Sequence, residues 1–322
     1  MFNFIGLGKT APAPVPTDSV VPLRFYDVLP LVQALMFNTT FVIDDVLDPL
    51  KLQQSLAALA ERDGWRRLGA RLRQYDHGRL EYHIPSHFIR QRPAIEFHHV
   101  EYAIPIADHA ASKVPRACSQ AFMMANPEEL QTLVRGPESP RTLDDYLYSD
   151  GPQLGLRVVS FTDATLITLY APHTLMDGMG LKALLDTWSL MLHGRQDDLP
   201  KTYPDDVDPL ANLGRRVTEP HKLDRHLLSW LDQVLYIILT LYKVWLFKFE
   251  RCAICIPAST LDFLRQAVQR ELTADKDQDD AAKAPFISDG DIMSAARLAQ
   301  PQQHLCLQRL QALHRAASCR RR

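Results

Sequence analysis

A chain of 322 residues with 46% apolar and 23% charged side chains is long enough for two ordinary domains and has the makeup of a globular protein, not a disordered or fibrous one. A formal net charge of −2 and a sequence pI of about 6.6 exclude a global electrostatic pull toward nucleic acid or anionic membrane. The five cysteines (Cys118, Cys252, Cys255, Cys306 and Cys319) are odd in number and scattered, which points to a reducing compartment and a cytoplasmic protein and argues against a disulfide framework.

Residues 1–9 have no basic n-region and too short an apolar run for a signal peptide, and Ala11–Pro16 reads as an extended lead-in. The globular part opens near Val21. Phe37–Ile43 is rich in β-formers and reads as a strand. Asp48-Pro49 then starts a helix, because Asp is a good N-cap and Pro suits the first helical position; Leu52, Leu56 and Leu59 mark its buried face. Arg79–Ile84 alternates as a strand should, with Leu80, Tyr82 and Ile84 facing one way. His83, His87, His98 and His99 have no partner spacing and read as surface or structural. Pro105–Pro140 is proline-rich and irregular, with one short helix near Pro127–Val134.

Gln153–Phe161 and Thr165–Tyr170 are strands joined by the tight turn Thr162-Asp-Ala, hence an antiparallel hairpin; Ala171-Pro172 stops the second strand. Leu181, Leu184, Leu185, Trp188 and Leu192 recur at helical spacing, and Gly194 is a C-terminal stop. The acidic, proline-punctuated stretch 195–209 begins a crossover. Leu227–Phe249 is the most apolar run, 23 residues and of membrane-spanning length, but Asp232, Lys243 and Lys248 leave only ten uncharged residues in its centre. The expectation is a helix packed on protein; an in-plane helix making peripheral membrane contact and a span are the alternatives. Cys252–Ile256 is a short strand, and its single C-x-x-C has no second half, so no zinc site is expected. Ser259 caps a helix bearing Leu261, Leu264, Val268 and Leu272. Thr273–Lys283 is a solvated loop, and Ser288 with Asp291 forms a capping box at the next helix. From residue 297 there are six Arg, five Gln and no Asp or Glu, with Pro301 breaking the helix.

Between the Thr165 strand and the helix after it sit His173 and Asp177, with Gly178 and Gly180 behind them. An imidazole on a strand-to-helix loop, with a carboxylate four residues on, is a common way to seat a general base. Three other assignments stay open on the residues alone: a satisfied structural histidine, half of a metal site, or an Asp177 that only caps the helix.

His173-Thr-Leu-Met-Asp-Gly178 resembles the HxxxDG signature of CoA-dependent acyltransferases related to chloramphenicol acetyltransferase, among them the BAHD and the fungal trichothecene-acetyltransferase-like enzymes. The resemblance covers roughly residues 20 to 295. Val21-Pro-Leu-Arg-Phe-Tyr-Asp27 is similar to the family's opening segment, with Phe25-Tyr26 departing from it, and Gly69-Ala-Arg-Leu72 is close to its G-R-L with one residue inserted. It implies an α/β fold of the chloramphenicol acetyltransferase-like kind, a two-layer sandwich with a mixed sheet and flanking helices. It implies these divisions: a lead at 1–19, a first acyltransferase domain at 20–194, a crossover and apolar helix at 195–250, the start of a second domain at 251–296 and a basic tail at 297–322. The family's second signature, DFGWG, does not occur in this sequence, so the second domain is expected to be incomplete. The implied reaction is acyl transfer from acyl-CoA, a co-substrate and not a bound cofactor, to a hydroxyl or amine of a small-molecule acceptor. His173 would be the general base, Asp177 would hold the loop through an ion pair, and Gly178 would leave room for a tight turn. A catalytically inactive remnant or binding module of the same fold is the alternative. No metal and no nucleic-acid partner are implied.

Overall fold

The protein is described from a computed structural model that covers residues 10–75, 78–109, 120–124, 131–137, 139–202, 227–247, 253–274 and 286–298, with isolated positions between 207 and 222. Expectations for residues 1–9, for Cys252, for positions 275–283 of the loop expected at Thr273–Lys283 and for the tail from 299 fall outside the described residues, while Thr273 and Ala274 are the helical end of the segment Ala258–Ala274. In chain order the strands are β1 (Ser19–Pro22), β2 (Met36–Ile43), β3 (Arg71–Tyr75), β4 (Arg79–Ile84), β5 (Glu96–Glu101), β6 (Phe122–Met124), β7 (Gly155–Ser160), β8 (Thr165–Pro172) and β9 (Ala253–Cys255). The helices are α1 (Pro30–Gln33), α2 (Pro49–Ala60), α3 (Gln131–Val134), α4 (Leu143–Leu147), α5 (Gly178–Leu192), α6 (Trp230–Leu246), α7 (Ala258–Ala274) and α8 (Asp289–Leu298). The chain divides into two compact units, Met1–Ser112 with Gln131–Leu227, and Lys113–Leu130 with Leu228–Arg322.

The first unit holds two sheets. A mixed sheet runs in the order β2-β8-β7-β5, with β8 antiparallel to both neighbours and β7 parallel to β5. A smaller antiparallel sheet runs β1-β4-β3. The α/β class with a mixed sheet and flanking helices is therefore as expected. Asp48 caps α2 by accepting from Leu50 N at 2.8 Å and Lys51 N at 3.2 Å, with Pro49 in the first turn. The face of α2 carrying Leu52, Leu56 and Leu59 packs with Leu184 and Trp188 of α5 against Leu156, Val158, Ile167 and Leu169 of the mixed sheet. Trp188 Nε1 donates to Ser55 Oγ at 2.8 Å, which gives the buried indole its partner and fixes α5 on α2.

The other face of that sheet mixes polar and apolar side chains, with Leu166 and Val159 buried beside them. Thr40 and Thr168 share a hydroxyl hydrogen bond of 2.9 Å, and buried Arg157 donates through Nε to Leu133 O of α3 at 2.9 Å. Here the Tyr170 ring lies over Gly155, whose neighbour-facing Cβ would come within 2.0 Å of it, so only glycine fits. Every residue of β8 is buried as a result. The strand does not stop at Tyr170: Ala171 and Pro172 stay in register with Phe37 and Met36. Pro172 is the last residue of the strand, opposite Met36.

The second unit pairs β6 with β9 antiparallel, Phe122 opposite Cys255, and packs α7 with α8, where Arg265 bridges Asp262 at 2.7 Å and also Asp289. The Ser288–Asp291 box is present, with Asp291 N to Ser288 Oγ at 3.1 Å and Ser288 N to Asp291 Oδ2 at 2.9 Å. Ser259 is not the cap of α7. That helix begins at Ala258, and Pro257 O accepts from Thr260 N and Leu261 N, so Ser259 lies inside the first turn. The larger correction concerns α6. It is helical and spans 17 residues, but its large apolar side chains are between 45% and 79% exposed, so the expected packing on protein is not met among the described residues. No described helix is long and apolar enough to cross a membrane.

The start of β1 is held by a charged cluster. Arg92 makes a bidentate pair with Asp18 at 2.8 and 2.7 Å and reaches Asp150 Oδ2 through Nε at 2.9 Å, while Arg73 also pairs with Asp150. The hydrogen bond from Arg92, with the Asp18 side chain 1% exposed, holds the Asp18 carboxyl below its usual range. A depressed carboxyl contributes stability that is complete above the unfolded value, about pH 3.9, and is lost as pH falls through the lower folded value. Asp18→Asn is expected to lower stability at neutral pH by about 1.5–3 kcal/mol. It should also flatten the fall in stability below about pH 4, which urea titrations across that window would measure.

Candidate active site

His173 is the first residue past the buried run of β8. Its N–H donates to Leu35 O at 2.9 Å, which adds one more rung to the β2–β8 ladder, so the backbone that carries the imidazole is as fixed as the sheet. The side chain is half-buried, and among the described residues neither ring nitrogen has a hydrogen-bond partner.

The four residues that follow are held from three directions. Leu175 N donates to Pro172 O at 3.0 Å, closing a turn around His173 and Thr174. Tyr82 of β4 is buried and donates its hydroxyl to Thr174 O at 2.8 Å, which ties the loop to the small sheet. Burial pushes the Tyr82 phenol well above its ordinary range, so it stays a donor. Leu175 packs against both apolar clusters of this unit, the one under α2 and α5 and the one around Val21, Leu72, Leu80 and Tyr146. The loop thus plugs the seam between the two sheets.

Asp177 closes the loop as the N-cap of α5. Its Oδ1 accepts from Gly180 N at 2.8 Å, and its backbone carbonyl accepts from Leu181 N at 2.9 Å. Among the described residues it has no ion-pair partner, so Asp177 contributes to holding this loop through its cap. The steric need for glycine also lies elsewhere than expected. A Cβ on Gly178 would meet nothing within 4 Å, whereas one on Gly180 would come within 2.8 Å of Met176 Cβ. At the far end of α5, Gly194 adopts φ +71° and ends the helix as the sequence suggests.

His173, Asp177 and Gly178 therefore share one loop, which enters the N-terminal end of a 15-residue helix. Histidines 83 and 98 lean on Glu81 and Glu96 at 2.7 and 3.0 Å, and His99 on Ser160 at 3.0 Å; none joins the site. A cavity of about 370 Å³ lined by Glu96, Ser139, Arg141, Asp145 and Tyr146 is separate from His173, which does not line it. Sequence reading missed Tyr82 as an anchor, although a tyrosine on the buried side of an alternating strand must find a partner for its hydroxyl.

No family model matches the chain. Acetyltransferase adrJ of Penicillium rubens is 36% identical over 285 residues, 88% of this chain and 57% of that protein. Acetyltransferase sphE of Aspergillus fumigatus is 37% identical over 312 residues, covering 91% of this chain and 60% of that protein. The chain is similar to these fungal proteins, both named acetyltransferases. A further relative, 38% identical over 286 residues (88% of this chain, 57% of that protein), is named transcriptional regulator calD of Penicillium decumbens. The chain spans under two thirds of the length of these relatives. The structure of F. graminearum TRI101 complexed with coenzyme A and T-2 mycotoxin aligns with a TM-score of 0.40 at 11% identity, over 63% of this chain and 46% of that one.

The loop geometry separates two kinds of damage. Asp177→Ala removes the cap and is expected to cost about 1 kcal/mol. Tyr82→Phe strands the buried Thr174 carbonyl and should cost about 1–3 kcal/mol. Thermal unfolding of both variants tests this; unchanged midpoints in both would show that neither contact holds the loop.

Proposed function

We propose that the protein transfers an acyl group from acyl-CoA to a hydroxyl or amine of a small-molecule acceptor, with His173 as general base. The observation that carries this reading is an imidazole held on a rigid backbone at an open loop, its ring nitrogens unengaged among the described residues, in a homologue of proteins named acetyltransferases.

The steps balance as follows. An acceptor O–H placed against His173 gives its proton to the ring Nε2 while the oxygen adds to the thioester carbonyl carbon. The carbonyl π-pair moves to oxygen, giving a tetrahedral oxyanion. That intermediate collapses, the C–S bond breaks, and the thiolate of CoA takes the proton back from the imidazolium. The ester and free CoA leave, and the base is regenerated. A positioned base of this kind is worth about 10² to 10⁴ in rate, and the rest comes largely from holding both substrates together. Asp177 acts as a positioning residue, since its cap sets where α5 begins and so where the loop ends. Gly178, with open space where a side chain would stand, leaves the mouth of the helix clear for the reacting groups. The assignments of 20–194 as a first acyltransferase domain, of 251–296 as the start of a second, and of a cytoplasmic setting belong to the same reading.

His173→Ala is expected to lower acceptor-dependent release of CoA thiol from acetyl-CoA by about 10² to 10⁴ without moving the unfolding transition, because a half-buried loop side chain adds little to the core. Wild-type turnover in that variant would sink the assignment. Acetyl-CoA binding by calorimetry with no thiol release from the unmodified chain would favour a binding module instead.

A further inference from the structure

The exposure of α6 calls for a physical account. Seventeen residues rise about 25 Å. With about 100° between successive side chains, the helix sorts into two arcs. Asp232, Lys243, Tyr236, Thr240 and Gln233 fall within roughly 100° of one another, and this arc holds both charges of the helix. The remaining arc, roughly 220° wide, carries no charge and only the hydroxyl of Tyr242 as a polar group, and runs from Val244 and Ile237 through Ile238 to Leu246 and Leu239. Trp230 stands on that arc at the first turn and Trp245 at the last, 71% and 79% exposed.

We infer that α6 is a membrane-surface helix, lying in the plane of a bilayer interface with this apolar arc in the acyl boundary. Three observations select that occupant. A single partner helix or groove covers a stripe of a third to a half of a helix circumference, whereas an apolar arc of about 220° exceeds any one such contact and is covered in one step by the acyl boundary of a bilayer. The helix is shorter than the roughly 30 Å hydrocarbon core, and Asp232 in its first turn and Lys243 in its last turn lie on the same side, about 20° apart, which suits lying flat with one polar edge up and not crossing. The two charges on the polar arc cancel, and the chain as a whole carries −2, so the attraction is apolar and zwitterionic headgroups suffice. The tryptophans at either end are the side chains that favour the headgroup level. This inference does not depend on acyl transfer.

The test uses the full chain and unilamellar vesicles of phosphatidylcholine, with and without phosphatidylserine. Trp230 and Trp245 are two of four tryptophans, so binding should shift the emission to the blue, and lipids brominated near the headgroup should quench more than lipids brominated deep in the chain. Flotation with phosphatidylcholine alone should resist salt. Ile238→Glu, in the middle of the apolar arc, should reduce partitioning about tenfold or more, while Thr240→Glu on the polar arc should leave it within about twofold. Both variants place the same charge on the same exposed helix, so a folding defect would affect them alike, and equal circular dichroism spectra verify it. The inference is overturned if the chain does not float with phosphatidylcholine, if flotation requires phosphatidylserine, if the two variants partition equally, or if deep bromines quench best. It is also overturned if light scattering shows a lipid-free oligomer that Ile238→Glu dissolves, since a second copy would then cover the helix.

Discussion

The first unit depends on the closure of both faces of β8. Its eight residues are all buried, so its backbone amides and carbonyls pair with β2 and β7, and its side chains are mostly apolar or matched to a partner. Those demands explain the odd residues around it. Gly155 makes room for the Tyr170 ring, Thr168 finds Thr40, and Arg157 is buried on the carbonyl of Leu133. The first side chain that can meet solvent after this run is His173, and it does so while its own N–H still belongs to the ladder. A reactive group at the end of a buried strand has little freedom left to lose when substrate arrives, which is the sense in which the site is preorganised.

Much of this was legible in the residues. The hairpin of β7 and β8, the capped α2 and α5 and the Ser288 box follow from turn and cap chemistry that acts over a few residues. What escaped depends on distant partners. Arg71-Leu-Arg-Gln-Tyr75 and Glu96-Phe-His-His-Val-Glu101 do not read as strands, because their polar side chains are accommodated by groups elsewhere in the fold: Arg73 by Asp150, Arg71 by the Asp150 carbonyl, His99 by Ser160. The loop residues His173, Asp177 and Gly178 were visible as a group, but the glycine that the turn needs is Gly180, two positions on, since only the path of the backbone decides which Cβ would collide with Met176.

The reading of α6 failed for a different reason. Apolar content alone suggests burial, and a strand or a core helix with this composition would be inside. The angular distribution of the side chains carries the information that composition lacks, and on that measure the helix is divided and not uniform.

Leu175 has a consequence beyond its contacts. It belongs to two apolar clusters at once, and the Thr174 carbonyl beside it is bonded from the smaller sheet. The loop is therefore shared property of two layers that would otherwise open independently. A fluctuation that separates β4 from its neighbours releases the phenol of Tyr82 and one wall around Leu175 together, so the small sheet and the His173 loop form a single cooperative opening unit. The amide of Leu175 should then exchange with solvent on the timescale of that unit, and the free energy of holding His173 in place is set as much by the packing of Leu72 and Leu80 as by anything that touches the imidazole.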